Sequence, residues 1–146
     1  ESPRVSGIVR TDAAPAPVGA YPHARRVGNL LFLSGVGPRQ PGSDAIPGNV
    51  HDADGRLIGY DIEAQCHQVF ANVRAVLEAS GAAWADLVDV TVFLTDMERD
   101  FAAYNRLYAE YFAGVDACRT TLGITRLPTP IAIEVKCVAA IAASAP

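Results

Sequence analysis

The chain has 146 residues and a mass of 15.4 kDa, enough for one domain with a buried core. Half of the residues are apolar, 19% are charged and the formal net charge is −4, a balance that excludes a disordered chain. With a pI near 5.2 it is a poor electrostatic footprint for nucleic acid, and no apolar run approaches the roughly 18 residues of a membrane span.

In chain order, VSGIVR (5–10) predicts a short edge strand, and the three prolines of TDAAPAPVGAYP (11–22) impose an extended, non-helical path. HARRV, then Gly28-Asn29, then LLFLSG reads as two strands joined by a two-residue turn. Residues 35–60, rich in Gly, Pro and Asp, are expected to form a long loop. Asp61 caps a predicted helix running to about Ser80, with Gly81 at its end and Ile62, Cys66, Val69, Phe70, Val73, Val76 and Leu77 on one apolar face. LVDVTVFLT (87–95) predicts a central strand. A second helix is expected over about 99–112, burying Phe101, Tyr104, Leu107, Tyr108, Tyr111 and Phe112. RTTLGIT (119–125) and IAIEVKCVAAI (131–141) follow as strands, separated by Pro128-Thr129-Pro130.

The expected fold is therefore a single α/β (α+β) domain over 1–146, core about 14–141, with the order β-β-β-α-β-α-β-β. Both helices should pack on one face of a mixed sheet. The last strand then poses a problem. Ile131, Ile133, Val135 and Cys137 form one face; Ala132, Glu134, Lys136 and Val138 form the other. A carboxylate and an ammonium on the face away from the helices fit an oligomer interface or a ligand cleft better than plain surface.

Three cysteines (Cys66, Cys118, Cys137) without CxxC spacing form neither a disulfide framework nor a zinc site. His23, His51 and His67 lie in separate segments, so no metal is expected. The first residues lack the features of a secretory signal, and the expected location is the cytoplasm. Among the cations there are eleven arginines against one lysine, Lys136. Codon bias accounts for such an excess, but a planar, permanently charged fork also suits a carboxylate ligand.

A colinear series of motifs now acquires meaning. It runs from Ala16-Pro17-Val18-Gly19-Ala20-Tyr21 through Val27-Gly28-Asn29-Leu30 and Ser34-Gly35 to Asp61-Ile62-Glu63-Ala64-Gln65. It continues with Thr91-Val92-Phe93-Leu94-Thr95-Asp96-Met97, Phe101 to Asn105, Arg119-Thr120-Thr121, Leu127-Pro128 and Ile133-Glu134-Val135. In this the chain resembles the reactive-intermediate (imine) deaminase, or Rid/YjgF, family. The resemblance implies a chorismate mutase-like fold and a homotrimer with a ligand cleft at each subunit interface. It further implies hydrolysis of imines and enamines to ammonia and a 2-keto acid, without a cofactor.

Residue by residue, the resemblance makes Arg119 the holder of the substrate carboxylate, as a bidentate fork. Read alone, Arg119 is equally a surface arginine after a loop. Glu134 matches the acid that positions the attacking water, the alternative being a structural salt bridge with an arginine or Lys136. Tyr21 matches the tyrosine at the cleft mouth, and Asn105 a cleft-lining asparagine. Ser34 and Gly35 end a strand where backbone can approach a ligand. Thr121 stands where many relatives carry cysteine, in keeping with a reaction that needs no covalent nucleophile.

Tyr21-Pro22-His23 with Arg25-Arg26, Arg39 just beyond Gly35-Val36-Gly37-Pro38, a longer 40–60 loop, and Arg119-Thr120-Thr121 followed by Leu127-Pro128-Thr129-Pro130 with Lys136 make the chain similar to the 2-aminomuconate deaminase branch. That substrate carries two carboxylates, so a second cation is expected among Arg39, His23 and Arg126, Arg39 first. The alternative is a broad deaminase of 2-iminobutanoate and 2-iminopropanoate. From another class come an RNA-cleaving translation inhibitor, which the acidic balance disfavours, and a non-catalytic ligand-binding trimer.

Overall fold

The structure, a computed structural model, describes residues 7–43 and 45–142. Two short strands open it, β1 (Ile8–Val9) and β2 (Ala24–Val27), followed by β3 (Leu30–Leu33). Gly28, at φ 62°, makes the two-residue β2–β3 turn that pairs Val27 with Leu30. Of the strand expected over 5–10, only Ile8–Val9 is a strand, and residues 5 and 6 lie outside the described residues.

The expected loop 35–60 needs a correction. It contains a small antiparallel pair, β4 (Val50–His51) and β5 (Leu57–Gly59), which adds two strands to the expected order. Its turn is built by Asp52, whose Oδ1 accepts from the N–H groups of Asp54 and Arg56, and by Gly55 at φ 82°.

Helix α1 (Ile62–Ala79) starts where Asp61 Oδ1 accepts from the N–H groups of Glu63 and Ala64. Strand β6 (Leu87–Leu94) leads to α2 (Met97–Phe112), which begins two residues earlier than expected because Asp96 caps it through the Arg99 N–H. Strands β7 (Cys118–Gly123) and β8 (Ile133–Ala140) complete the chain.

One six-stranded mixed sheet results, in the order β1-β2-β3-β8-β6-β7, with β6–β7 its parallel pair. Leu31, Leu33, Val90, Val92, Ile133, Val135, Cys137 and Ala139 point to the side covered by α1 and α2 and form the core with Phe70, Val73 and Tyr104. Phe101 does not join it as expected. It is exposed, and the next residue toward the helix start, Asp100, is buried instead. Ala132 also departs from its expected face: it is buried, with its N–H donated to Gln65 Oε1.

The other sheet face remains as expected, uncovered within the described chain. Leu30 and Phe32 of β3 and Leu122 of β7 are exposed there, beside Glu134 and Lys136 of β8.

Candidate functional site

Strands β3 and β8 pair regularly as far as Phe32–Val138, and the next bridge joins Val36 to Val135. Four steps along one strand thus face three along the other, a β-bulge that frees backbone groups. Into this gap Lys136 directs its Nζ, donating to the Leu33 carbonyl. Glu134 lies across Gly35 so closely that a Cβ at that position would stand 2.5 Å from its Oε2. Glycine is required here by the carboxylate, not by a turn.

The bulge floors a cavity of about 460 Å³ lined by Tyr21, Ser34, Gly35, Arg39, Glu134 and Lys136, with Pro128, Thr129 and Ile131 as one wall. Burial pushes the Glu134 carboxyl above its ordinary range, and no ion pair among the described residues pulls it back. The structural salt bridge considered for it is therefore not formed. Such a group is a good proton acceptor and holds a proton nearer to neutral pH than an exposed glutamate.

The mouth of the cavity is shaped by hydrogen bonds. Tyr21 Oη accepts from the Val18 N–H at 3.3 Å, and Ser34 Oγ donates to the Pro22 carbonyl at 2.7 Å. His23 engages both ring nitrogens with backbone: Nδ1 accepts from the Thr11 N–H at 3.3 Å, and Nε2 lies 2.9 Å from the Pro15 carbonyl. It fastens the 11–15 segment to the hairpin. Arg39 donates from Nη2 to the Ala16 carbonyl at 2.7 Å. Arg126 faces a neighbouring cavity, with Leu57 and Tyr60, on the other side of Pro128 and Thr129.

Arg119, Asn105 and Thr121 form a second cluster. Arg119 of the edge strand β7 pairs with Val90 and thus points to the helix side of the sheet, its guanidinium 4.7 Å from the Tyr108 ring centre and 5.4 Å from that of Tyr104. Its Nη1 donates to Asn105 Oδ1 at 2.8 Å, and Thr121 Oγ1 sits 3.0 Å from Tyr104 Oη. Glu134, paired with Phe93, points to the opposite face, two strands away and three residues out of register. One chain therefore holds two separate clusters that do not meet.

Two buried amides escaped the sequence reading. Gln65 and Asn72 lie two turns apart on α1, both essentially inaccessible. Gln65 accepts from the Ala132 N–H and donates to Asn49 Oδ1, while Asn49 Nδ2 donates to the Pro130 carbonyl. Asn72 Nδ2 donates to the carbonyls of Gly37 and Arg39, both at 2.8 Å. One helix thus pins both walls of the Glu134 cavity. The signal was present: amides at i and i+7 on an apolar helix face require partners.

Among the described residues no cluster of His, Cys, Asp and Glu is arranged to hold a metal, and no helix is long and apolar enough to cross a membrane.

Known proteins match this chain in sequence and in fold. Residues 11–141 match the family described as Endoribonuclease L-PSP. A RutC family protein of Pyrococcus horikoshii is 37% identical over 132 residues, 90% of this chain and 95% of the relative. A protein of Dermatophagoides farinae named 2-iminobutanoate/2-iminopropanoate deaminase is 35% identical over 92% of this chain and 95% of its own. Among solved structures, Escherichia coli TdcF with bound serine superposes with a TM-score of 0.78 at 29% identity, over 92% of this chain and 98% of that one. The fold, the matched span and these relatives agree: the chain belongs to the Rid/YjgF family, the endoribonuclease L-PSP family of the RutC proteins.

Proposed function

We propose that the protein is a hydrolytic deaminase of imines and enamines, with 2-aminomuconate as its foremost substrate. The observation that carries this reading is Glu134: a carboxylate lifted in pKa by burial alone, laid over Gly35 at a strand bulge and facing a cavity. Arg119 supplies the complementary part. Seated on two tyrosine rings and steered by Asn105, it presents a fork for the carboxylate beside the imine.

The chemistry needs little more. With the carboxylate held, an enamine enters as its protonated imine tautomer; a water positioned by Glu134 attacks the imine carbon, and one water proton passes to Glu134, leaving a neutral carbinolamine. The carbinolamine then collapses: Glu134 returns its proton to the nitrogen, the carbon–nitrogen bond breaks, and the hydroxyl proton leaves with the departing nitrogen as the carbon–oxygen bond becomes a carbonyl. Ammonia and the 2-keto acid leave, and the carboxylate is regenerated. Tyr21 and Ser34 supply polar contacts at the mouth, Thr121 supports the tyrosine shelf, and His23 and Arg39 shape the loop beside it.

Because the two half-sites face apart, the reading requires a second copy to bring Arg119 to Glu134, and we infer a homotrimer with its clefts between subunits. The uncovered sheet face with Leu30, Phe32 and Leu122 supports it. Three free thiols, one of them exposed on Cys118, are compatible with a reducing cytoplasm. The dicarboxylate is favoured by cations lining the Glu134 cavity; the name of the Dermatophagoides farinae relative favours the broad 2-imino acid alternative. Ammonia release from 2-aminomuconate and from 2-aminoacrylate decides. Turnover of the monocarboxylate with none of the dicarboxylate would overturn the first choice.

A further inference from the structure

Lys136 is the single lysine of the chain, expected on the outer face of the last strand and named there as an alternative salt-bridge partner for Glu134. The structure separates the two. They share the outer face of β8 and line the same cavity, yet form no ion pair. Burial alone accounts for the raised Glu134 carboxyl, so the lysine charge is not neutralised there. Instead the ammonium is placed by uncharged groups. It donates to the Leu33 carbonyl released by the bulge and stands 6.0 Å from the Phe32 ring centre. One of its three N–H groups is thereby engaged, which fixes its position without cancelling its charge.

We propose that Lys136 receives the far carboxylate of a dicarboxylate substrate and so determines its selectivity over monocarboxylates. The inference rests on the deaminase reading above for the identity of the substrate, and on geometry for the site. Alternate residues of a strand stand about 6–7 Å apart, the span from the amino-bearing carbon to the far carboxylate of a six-carbon chain. With that carbon at Glu134, the near carboxylate goes to Arg119 and the far one to Lys136. Arg39, across the cavity, is committed at Nη2 to the Ala16 carbonyl and is the weaker candidate.

The test measures binding and needs no turnover, so it separates this inference from the deaminase reading. Calorimetry on the intact protein compares muconate with 2,4-hexadienoate, the same diene with two carboxylates and with one. The wild type is expected to prefer muconate by about tenfold or more, the scale of one charge-assisted contact. Lys136→Gln, which keeps an N–H donor in reach of Leu33, should bring that ratio below about twofold. Lys136→Arg should restore most of it. The proposal is overturned by a ratio unchanged in Lys136→Gln, by a ratio that collapses in Arg39→Gln but not in Lys136→Gln, or by no muconate binding to the wild type. Absence of ammonia release with an intact, lysine-dependent ratio would instead sink only the deaminase reading.

Discussion

The Glu134 cavity and the Arg119 edge are held by opposite means. Around Glu134 every wall is tied down by backbone: the bulge, the Ser34 and His23 hydrogen bonds, and the Gln65 and Asn72 amides reaching from α1. The carboxylate thus lies against walls that one chain holds in place through these bonds. Around Arg119 the support is a shelf of aromatic side chains on α2 and one amide oxygen, at the open edge of the sheet. A desolvated carboxyl needs a rigid surround to keep its pKa raised, whereas a guanidinium that meets its ligand across an interface needs only orientation. On the proposed reading, the rigid half serves the proton chemistry and the open half serves binding.

The comparison breaks outright if both halves work within one chain, so the largest expected effect concerns mixing. Arg119→Ala and Glu134→Gln should each lose deamination by about 100-fold or more, from a lost charge-assisted fork and a lost proton acceptor. Refolded together in equal amounts, they should recover about one quarter of wild-type activity, since a site needs an intact arginine from one copy and an intact glutamate from its neighbour. Recovery absent under conditions that exchange subunits would show that Arg119 and Glu134 do not meet between copies.

A smaller effect tests the rigid half alone. Gly35→Ala places a methyl 2.5 Å from Oε2 of Glu134, inside van der Waals contact, so the carboxylate must move by a fraction of its own length. A displacement near 1 Å costs about 10- to 100-fold in rate. Thermal stability should change little, because the strain is relieved by a side chain facing open space. Steady-state kinetics should show the loss mainly in kcat; a loss confined to KM would assign Gly35 to substrate contact instead.

These two regions also mark how far the sequence could be read. The hairpin, α1, β6 and β8 follow from local periodicity and turn residues. Glu134 is legible because a carboxylate inside Ile-Glu-Val contradicts its surroundings. Arg119 has no such contrast; it is one of eleven arginines and stands out only through the family pattern. Its position opposite Val90 depends on parallel pairing of β6 with β7 across a helix, a long-range register that no local pattern encodes. The β4–β5 pair was legible in Asp54-Gly55 but its strands are too short for periodicity. Phe101 is expected on the buried side, but Asp100 takes that place, its Oδ2 accepting from Tyr60 Oη at 2.5 Å, a partner forty residues earlier that no local pattern supplies.

The amides of α1 sharpen the contrast through stability. Asn72→Ala leaves the Gly37 and Arg39 carbonyls without their donor and should destabilise the fold by about 1–3 kcal/mol. Because the same bonds hold one wall of the cavity, KM should rise with kcat largely kept. Chemical denaturation and kinetics on the same preparation check both. Equal loss of stability with unchanged KM would leave Asn72 a core residue and no more.

The smallest effect lies in the pH dependence of stability, and its sign follows from Glu134. The folded protein holds the Glu134 proton more tightly than the unfolded chain, whose glutamate titrates at about 4.3. Below that value both states are protonated and the burial of a neutral carboxyl is fully favourable. As pH rises, the unfolded chain releases its proton first, so the folded state binds more protons and stability falls until the folded group also ionises. Glu134→Gln lacks this loss. It should match the wild type near pH 4 and be the more stable protein at pH 7, by about 1–3 °C in Tm given that the side chain is only half-buried. A difference independent of pH would mean that the carboxyl is no less solvated in the folded chain than outside it. An inactive variant more stable than the wild type at neutral pH alone would locate the cost of function in one desolvated carboxylate.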